Sequence, residues 1–491
     1  MCGIAGIMSE EKEVVQHMMA RLMHRGPDGS GLRQKKGCVL GHTRLSIIDL
    51  EGGAQPMDDN EKQVQIVFNG EIYNFPTLRY ALGQDRFLTH SDTEVILELF
   101  KSDPKHLPQR LDGMFAFAIR NGDEVILGRD PLGIKPLYMG QRKGSLVFAS
   151  EIKALVDVCD HIEEFPPGHV FSTKKGLYRY YQLALNEIEN LDVHEAQAKV
   201  LELLEQAVFK RMVADVPVGV FLSGGLDSSL IAALARRIKE PLDTFSVGMA
   251  GSSDKPYADV MVKHLGTRHH EYTFSLTEAL DALPEIIYHL ESFDAALVRS
   301  AIPNYFLARL AGQHVKVALS GEGADELFSG YHYLKSIPQL QLQLELLEIT
   351  QALHNTNLQR CDRMSMAHGL EVRVPFLDLK LVDYAFRIPV QYKLAQPGNT
   401  EKWILRKVAE KIIPASVAWR SKEKFAAGTG LGEKMAAFAE EQLEGLEFHS
   451  QGEMFDGILI RNKEEFFYYQ IFKTLFPNKE ILPLVGRSRS L

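Results

Sequence analysis

A short loop of small and polar residues, SGGLDSS at 223–229, contains the clearest chemical motif in the sequence. Its two glycines let backbone N–H groups approach a ligand closely, and its serine hydroxyls add further donors. The run before it, VGVFL at 218–222, is apolar and β-branched, which predicts a buried parallel strand. Apolar residues then recur at helical spacing from Leu230 to Ile238. A strand, a loop and a helix start in this order predict a phosphate site.

The loop differs from the two commonest phosphate-binding motifs. It lacks the Gly-Lys-Ser/Thr ending of a P-loop and the Gly-x-Gly-x-x-Gly of a dinucleotide fold. Asp227 places a negative charge where phosphate is expected, which predicts that Mg²⁺ lies between this carboxylate and the phosphates. The alternative interpretation is a structural Gly-Ser turn in which Asp227 caps the following helix.

Cys2 is the candidate nucleophile of the N-terminal half. MCGIAGI at 1–7 predicts a buried strand that starts at the terminus itself. Removal of Met1 would give one residue both a thiol and a free α-amine, whose unperturbed pKa of about 7.7 to 8.0 suits a general base. A cysteine at position 2 is by itself more often unrelated to catalysis, so this assignment depends on the motifs that follow.

Short polar motifs follow Cys2 at intervals along the chain. They are HRGPD at 24–28, HTRLSIID at 42–49, FNGEIYN at 68–74, SDTE at 91–94, RDPLGIKPLY at 129–138 and ASEIK at 149–153. Their order resembles the glutaminase domain of class II glutamine amidotransferases, which are N-terminal-nucleophile hydrolases. The resemblance implies an αββα sandwich of two antiparallel sheets between helical layers, which agrees with the many short β-branched runs of this half.

The same resemblance implies how glutamine would be hydrolysed. Cys2 would attack the side-chain amide to give a thioester and ammonia, and water would then release glutamate. The side-chain amide of Asn69 and the backbone N–H of Gly70 would form the oxyanion hole and contact the bound glutamine. Taken alone, Asn69-Gly70 is also the strongest short signal for a hairpin turn.

Three further residues are implied to bind the two charges of free glutamine. Arg44 would clamp the α-carboxylate in a bidentate manner. Asp92, with help from Glu71, would receive the α-ammonium group. Taken alone, Arg44 is typical of an ordinary surface ion pair, so its functional interpretation depends on Cys2 and Asp92 being present as well.

The C-terminal half repeats the pattern of strand followed by loop. TFSVGM at 244–249 predicts a second parallel strand, and VKVALSGEGADE at 315–326 runs from a strand into a Gly-rich loop with three carboxylates. With LEVRVPFLD at 370–378, EKWILR at 401–406 and WRSKEKF at 419–425, the order resembles the synthetase domain of glutamine-hydrolysing asparagine synthetases. The whole chain is therefore predicted to be a two-domain α/β protein, with a glutaminase domain at 1–190 and a parallel α/β ATP-pyrophosphatase domain at 191–491.

This second resemblance implies that ATP activates the β-carboxylate of aspartate as an acyl adenylate, which ammonia then attacks. The implied ATP contacts are Leu222, Ser223, Gly224, Gly225, Asp227, Ser228, Val247, Ser320 and Gly321. Asp227 and Asp325 would hold Mg²⁺, and Glu322 would take a proton from the attacking nitrogen. Lys422 would neutralise the charge that builds on the phosphates and the tetrahedral intermediate. Glu326 is interpreted as an ion-pair partner outside the catalytic set.

Four local features depart from the family pattern or have an ambiguous signal. Ser329 stands where glycine is common, and AA at 426–427 replaces a polar pair. QLQLQLELL at 339–347 alternates polar and apolar residues like a strand, but it lies between helical patterns and is predicted to be a helix. The basic tail GRSRS at 486–490 is predicted to be disordered.

Composition limits the remaining function classes. The chain has 491 residues and a formal net charge of −9, which argues against a general nucleic-acid surface. No run approaches the roughly 18 apolar residues of a membrane span, and no secretory signal is evident, so a cytoplasmic protein without a membrane partner is expected. Its four scattered cysteines suggest neither disulfides nor zinc. The expected partners are glutamine, aspartate and ATP, and a homodimer stays open.

Ammonia must pass between the two sites without meeting water, so the resemblance also implies an internal tunnel. Two alternatives to this activity stay open. The first is an amidotransferase that amidates another carboxylate, and the second is an inactive paralogue that senses glutamine or nucleotide. A β-lactam-forming synthetase is disfavoured, because such an enzyme has no use for Cys2.

Overall fold

The computed structural model describes residues 1–59, 61, 63–185, 187–189, 192–395, 399–421, 428–449 and 452–489. Antiparallel sheets form the N-terminal half, and a parallel sheet forms the centre of the C-terminal half. Within the described ranges, no helix combines the length and the apolar character that crossing a membrane requires. The predicted two-domain α/β fold class is confirmed.

Two six-stranded antiparallel sheets form the N-terminal half. The strands are β1 (Gly3–Ile7), β2 (Gly29–Lys35), β3 (Cys38–Arg44), β4 (Met57–Asp58), β5 (Val64–Ile72), β6 (Gly113–Asn121), β7 (Glu124–Arg129), β8 (Tyr138–Arg142), β9 (Ser145–Ala149), β10 (His161–Glu164), β11 (His169–Ser172) and β12 (Gly176–Arg179). The first sheet has the order β10-β8-β9-β1-β3-β2, and the second has the order β12-β11-β7-β6-β5-β4. Apolar side chains of both sheets, among them Ile4, Leu40, Val67 and Leu127, pack in one buried cluster.

Helices cover the outer faces of these sheets. They are α1 (Lys12–Arg21), α2 (Phe75–Leu82), α3 (Asp92–Ser102) and α4 (Leu107–Arg110). Helix α1 contacts β1 and β3 of the first sheet, and α3 contacts β5 of the second. Val95, Ile96 and Leu99 of α3 are buried against Phe115 and Phe117 of β6. The predicted αββα sandwich is therefore present.

The C-terminal half is built on a parallel sheet of order β15-β14-β13-β16-β17. In chain order its elements are α5 (Val193–Arg211), β13 (Val218–Phe221), α6 (Leu226–Arg236), β14 (Asp243–Gly248), α7 (Lys255–Leu265), β15 (Arg268–Thr273), α8 (Leu276–Leu290), α9 (Ala295–Gly312), β16 (Val317–Leu319), α10 (Ala324–Phe328), α11 (Gln339–Gln351), α12 (Asn357–Met366), β17 (Glu371–Arg373), α13 (Leu379–Ala385), α14 (Val390–Lys393), β18 (Leu394–Ala395), β19 (Thr400–Glu401), α15 (Trp403–Ala409), α16 (Ala415–Ala418), α17 (Gly432–Gln442), β20 (Glu453–Phe455), β21 (Ile458–Ile460) and α18 (Lys463–Leu475). The carboxyl ends of parallel strands meet at one edge, where ligands bind in such sheets.

Buried ion pairs join the two halves. Arg25 of the N-terminal half pairs with Asp362 of α12 at 2.7 Å, and Arg363 pairs with Glu151 at 2.9 Å. These four side chains are almost completely buried. Removal of one partner would leave a charge uncompensated in the interior, so the pairs hold the halves in one arrangement.

The ambiguous stretch 339–347 is helical, as predicted. It forms the start of α11, in which Leu342, Leu346 and Ile349 recur at helical spacing and are buried. Leu340 is almost fully exposed, so the strand-like alternation of the sequence does not match the residues that are buried. Burial of one helical face decides the conformation.

The prediction that the basic tail is disordered is wrong for residues 486–489. Arg489 pairs with Glu345 at 2.6 Å and with Glu348 at 2.7 Å, both on α11. Ser488 donates its backbone N–H to Asp294 at 2.9 Å. The arginines of a basic tail need acidic partners to become ordered, and tertiary folding brings them from distant parts of the chain.

Ser329 ends α10 in the left-handed conformation, with a φ of 60°. Its hydroxyl is buried and has no hydrogen-bond partner in the described part of the chain. We expect Ser329→Gly to raise the free energy of unfolding by about 1 kcal/mol, because glycine adopts this conformation without strain and adds no buried hydroxyl. Chemical denaturation measures the change. Ser329→Ala is the matched control, since it removes only the hydroxyl, and a glycine variant no more stable than this control would contradict the strain argument.

Candidate active sites

Cys2 lies directly before β1 and is buried in the N-terminal half. Its backbone N–H donates to Asn69 Oδ1 at 3.1 Å, and its carbonyl accepts from Arg25 Nε at 3.0 Å. The thiol Sγ lies 3.9 Å from the carbonyl oxygen of Leu45. Burial raises the pKa of the thiol, and the neighbouring N-terminal ammonium group opposes this effect. Activation of the thiol therefore requires a nearby base.

Asn69 and Gly70 lie on β5 next to Cys2. Because Asn69 Oδ1 accepts from Cys2, its Nδ2 group points elsewhere, and this buried donor has no hydrogen-bond partner among the described residues. A Cβ atom on residue 70 would lie 2.1 Å from the carbonyl oxygen of Met114, so only glycine fits here. An unsatisfied buried donor beside a thiol is the kind of group that stabilises an oxyanion.

The residues predicted to bind the charges of glutamine include Arg44 on β3 and Asp92 on α3. Arg44 donates to the carbonyl oxygens of Asp49 at 2.6 Å and Leu50 at 2.9 Å, which orders the loop after β3. Asp92 is buried at the start of α3 and accepts from the backbone N–H of Ile72 at 3.0 Å. Burial raises the pKa of Asp92 to about 6. A nearby substrate ammonium would favour its ionised form.

Glu71 has a partner that the sequence did not predict. Its carboxylate accepts from Arg373 of β17 at 2.8 Å, and both side chains are buried. The C-terminal half therefore contributes a charged residue to the surroundings of the glutaminase site. The role of Glu71 toward glutamine stays a prediction.

A cavity of about 310 Å³ opens at the carboxyl edge of the parallel sheet. The predicted residues that line it are Leu222, Ser223, Gly225, Asp227, Ser228, Val247, Ser320, Gly321, Glu322 and Asp325. Gly224 does not line it but shapes the turn, with a φ of 73°. A Cβ atom there would lie 2.3 Å from the backbone nitrogen of Ala258. The sequence thus identified most of one wall of the cavity.

The loop after β13 is arranged as an anion site. The hydroxyls of Ser223 and Ser228 lie 3.1 Å apart, and Ser223 Oγ accepts from the backbone N–H of Gly225 at 3.3 Å. Gly225 is the N-cap of α6, and no side chain in the described part of the chain caps this helix start, so Asp227 is not the helix cap of the alternative interpretation. The partial positive charge of this helix end favours a phosphate.

Lys402 bridges the two predicted Mg²⁺ ligands. Its Nζ lies 2.6 Å from Asp227 Oδ2 and 2.5 Å from Asp325 Oδ1. The ammonium group thus lies between two carboxylates at the cavity wall. Two carboxylates combined with substrate phosphates form the oxygen donor set that Mg²⁺ prefers, so the residues fit this ion. A Cβ atom on Gly330 would lie 1.9 Å from Asp325 Oδ1, so this packing also requires glycine.

The acidic residues of the loop after β16 differ in their partners. Glu322 accepts from Arg360 of α12 at 2.6 Å. Glu326 is buried and hydrogen-bonds to the Tyr331 hydroxyl, and Asn357 donates to that hydroxyl at 2.9 Å. Burial and the neighbouring carboxylate of the same loop raise the pKa of Glu326 to about 7. Glu326 can therefore exchange a proton near neutral pH.

Comparisons with known proteins identify the family of each half of the chain. Residues 1–196 match the family model of the glutamine amidotransferase domain, and residues 199–347 and 339–481 match the model of asparagine synthase. The chain belongs to the asparagine synthase family. It is 39% identical over 507 residues to asparagine synthetase B (glutamine-hydrolyzing) of Escherichia coli, covering 97% of this chain and 92% of that protein.

A plant relative gives a similar result. The chain is 38% identical over 511 residues to the asparagine synthetase (glutamine-hydrolyzing) of Zea mays, covering 97% of this chain and 86% of the relative. Among solved structures, the allosteric regulatory enzyme of purine biosynthesis aligns with 55% of this chain and 80% of its own, at 19% identity and a TM-score of 0.34. Family membership therefore depends on the sequence matches.

Lys422, which was predicted to neutralise charge in the synthetase site, lies outside the described residues, as do the alanines at 426–427. Its neighbours Arg420 and Ser421 line the cavity. The role of Lys422 stays a prediction, as does the domain boundary near 190.

Three cavity residues were missed by sequence reasoning. Lys402 belongs to the quoted EKWILR motif, which offered a signal, but no role was assigned to it. Arg360 lies on α12 outside every quoted motif, so only its contact with Glu322 reveals it. Glu326 was interpreted as an ion-pair partner, whereas it hydrogen-bonds to Tyr331.

Proposed function

We propose that this protein synthesises L-asparagine from L-aspartate, using ATP and the ammonia released from L-glutamine. One observation carries the proposal: a buried thiol beside an unsatisfied amide donor and a phosphate-type loop with paired carboxylates occur in one chain and are joined by buried contacts. Membership of the asparagine synthase family supports the choice of reaction.

In the glutaminase half-reaction, removal of Met1 frees the α-amine of Cys2 to take the thiol proton. The thiolate attacks the amide carbon of glutamine, and Asn69 Nδ2 and the Gly70 N–H stabilise the oxyanion. The C–N bond then breaks, and the nitrogen leaves as ammonia after it receives the proton. Water hydrolyses the thioester to glutamate. Arg44 and Asp92, with Glu71, bind the α-carboxylate and α-ammonium groups of the substrate.

In the synthetase half-reaction, the β-carboxylate of aspartate attacks the α-phosphorus of ATP and displaces pyrophosphate. The serines and backbone N–H groups of 223–228 bind the leaving pyrophosphate. Asp227 and Asp325 would hold Mg²⁺, which would supply positive charge to the phosphates. Lys402 lies between these two carboxylates and adds a further positive charge at the cavity wall.

Ammonia then attacks the acyl carbon of the adenylate, and the bond to AMP breaks. The attacking nitrogen must lose a proton, and Glu322 is the assigned acceptor. Lys422 is assigned to stabilise the negative charge of the tetrahedral intermediate.

The proposal also includes a cytoplasmic location, and light scattering would determine whether the enzyme is a monomer or a homodimer.

The identity of the acceptor acid is tested by pyrophosphate release. We expect the enzyme with ATP and Mg²⁺ to release pyrophosphate with aspartate at least tenfold faster than with glutamate, malate or succinate, because each analogue changes the length or a charged group of the acid. Asparagine is quantified in the same reactions. A better response to another acid would assign the enzyme to a different amidation, and binding of glutamine and ATP without turnover would indicate a sensor.

A further inference from the structure

Glu371 begins β17, an edge strand of the parallel sheet. The ammonium group of Met1 lies 3.3 Å from Glu371 Oε2, and both side chains are fully buried. A charged amine is thus held in the interior between the two halves by one carboxylate oxygen. This oxygen has no other hydrogen-bond partner among the described residues.

The other oxygen of Glu371 is held by Arg373. Arg373 Nε donates to Glu371 Oε1 at 2.6 Å, and its two terminal nitrogens donate to Glu71 and to the carbonyl oxygens of Arg211 and Val213. The guanidinium therefore fixes the position of the carboxylate, and its positive charge is shared between Glu371 and Glu71. Its contact is with Oε1, so Oε2 is left to accept an N–H donor.

This position lies between the two candidate active sites. Met1 precedes the nucleophile Cys2 directly in the chain. On the opposite side, the carbonyl of Arg373 accepts from the backbone N–H of Ser320 at 2.9 Å, and Ser320 lines the cavity of the C-terminal half. Glu371 is therefore close to Cys2, where ammonia would be released. It is also close to the strand that ends directly before Ser320, at the cavity where ammonia would react.

We propose that Glu371 Oε2 is a binding position for ammonia in transit from Cys2 to the synthetase cavity. The inference depends on the proposed function, since ammonia must pass from one site to the other. Removal of Met1 empties the volume of its side chain and takes away the ammonium partner of Glu371 Oε2. A buried acceptor left without a partner carries a desolvation penalty, and an N–H donor of matching size removes it. The Met1 ammonium occupies the position that ammonia takes.

The test is Glu371→Gln in the mature full-length enzyme, in which the carboxylate charge is lost at nearly constant volume. We measure moles of asparagine formed per mole of glutamate formed. This ratio should fall roughly fivefold, the factor that one lost hydrogen bond gives. Glutamine hydrolysis and ammonium-supported synthesis should stay within about twofold of the parent. Glu164→Gln is the control, because Glu164 is another carboxylate between the halves, partly rather than fully buried and paired with Arg129 and His354.

An unchanged ratio would overturn the inference. Slower glutamine hydrolysis with an unchanged ratio would also overturn it, and would assign Glu371 to the α-amine of Cys2. If the glutamine variant fails to fold, Glu371→Asp retracts the carboxylate while keeping its charge, and a parental ratio in this variant would equally reject the inference. If the parent amidates an acid other than aspartate, the asparagine proposal fails, whereas the same ratio measured with that product still tests Glu371.

Discussion

Cys2→Ala should abolish glutamine-supported asparagine synthesis and leave synthesis from ammonium salts within about twofold of the parent. The variant lacks the thiol that is proposed to form the thioester, so glutamine hydrolysis should fall on the order of 10⁴-fold or to the detection limit. The phosphate loop and its carboxylates belong to the other half of the chain, and ammonia supplied in solution needs no thiol. Coupled assays of glutamate and pyrophosphate measure the two activities separately.

Cys38→Ala is the matched control for this prediction. Cys38 is a buried cysteine at the start of β3, outside the residues assigned to catalysis. Its replacement removes a thiol from the same half and should leave glutamine hydrolysis close to the parental rate. Equal losses of glutamine-supported and ammonium-supported synthesis in Cys2→Ala would contradict the separation of the two sites.

Asp227→Asn should have the opposite effect. It removes one of the two charges assigned to Mg²⁺, and it also removes the charge that faces Lys402 at 2.6 Å. Aspartate-dependent pyrophosphate release should therefore fall on the order of 10³-fold, because the phosphate charge that develops in the transition state loses its bound cation. Hydrolysis of glutamine should remain measurable.

Asp259→Asn is the control for the carboxylate change. Asp259 lies on α7, is exposed and is 3.8 Å from Lys255, so its removal should alter pyrophosphate release by less than twofold. Titration with Mg²⁺ adds a second readout, since Asp227→Asn should raise the half-saturating concentration of the ion. Continued pyrophosphate release at the parental rate would remove Asp227 from the metal site.

The buried interface explains how two separable chemistries remain in one unit. Arg25 with Asp362 and Arg363 with Glu151 are charge pairs that neither half could bury alone. Arg373 extends this network to the surroundings of Cys2 by its contact with Glu71. A variant of one site can therefore affect the other through the shared charges, so each experiment above measures both activities.

The sequence alone determined the local chemistry of this protein. The small-residue loop at 223–229, the cysteine at position 2 and the β-branched strands before each loop are short patterns, and their conformations follow from nearby residues and burial periodicity. For that reason the strands and the loops after them could be predicted, whereas the two fold types and most of the cavity-lining residues were predicted from the resemblance to known families, and the binding of phosphate stays a prediction. Lys422 and the domain boundary stay predictions.

Only the tertiary structure decided which distant groups face one another. Lys402 lies between Asp227 and Asp325, Arg373 reaches Glu71, and the amide orientation of Asn69 leaves its Nδ2 donor without a partner. These contacts join residues far apart in the chain, and no local spacing encodes them. They arise because strands and helices from both halves pack together, and burial then requires each charge to find an opposite charge. The sequence identifies the candidate reacting groups, and tertiary packing determines which side chains contact them.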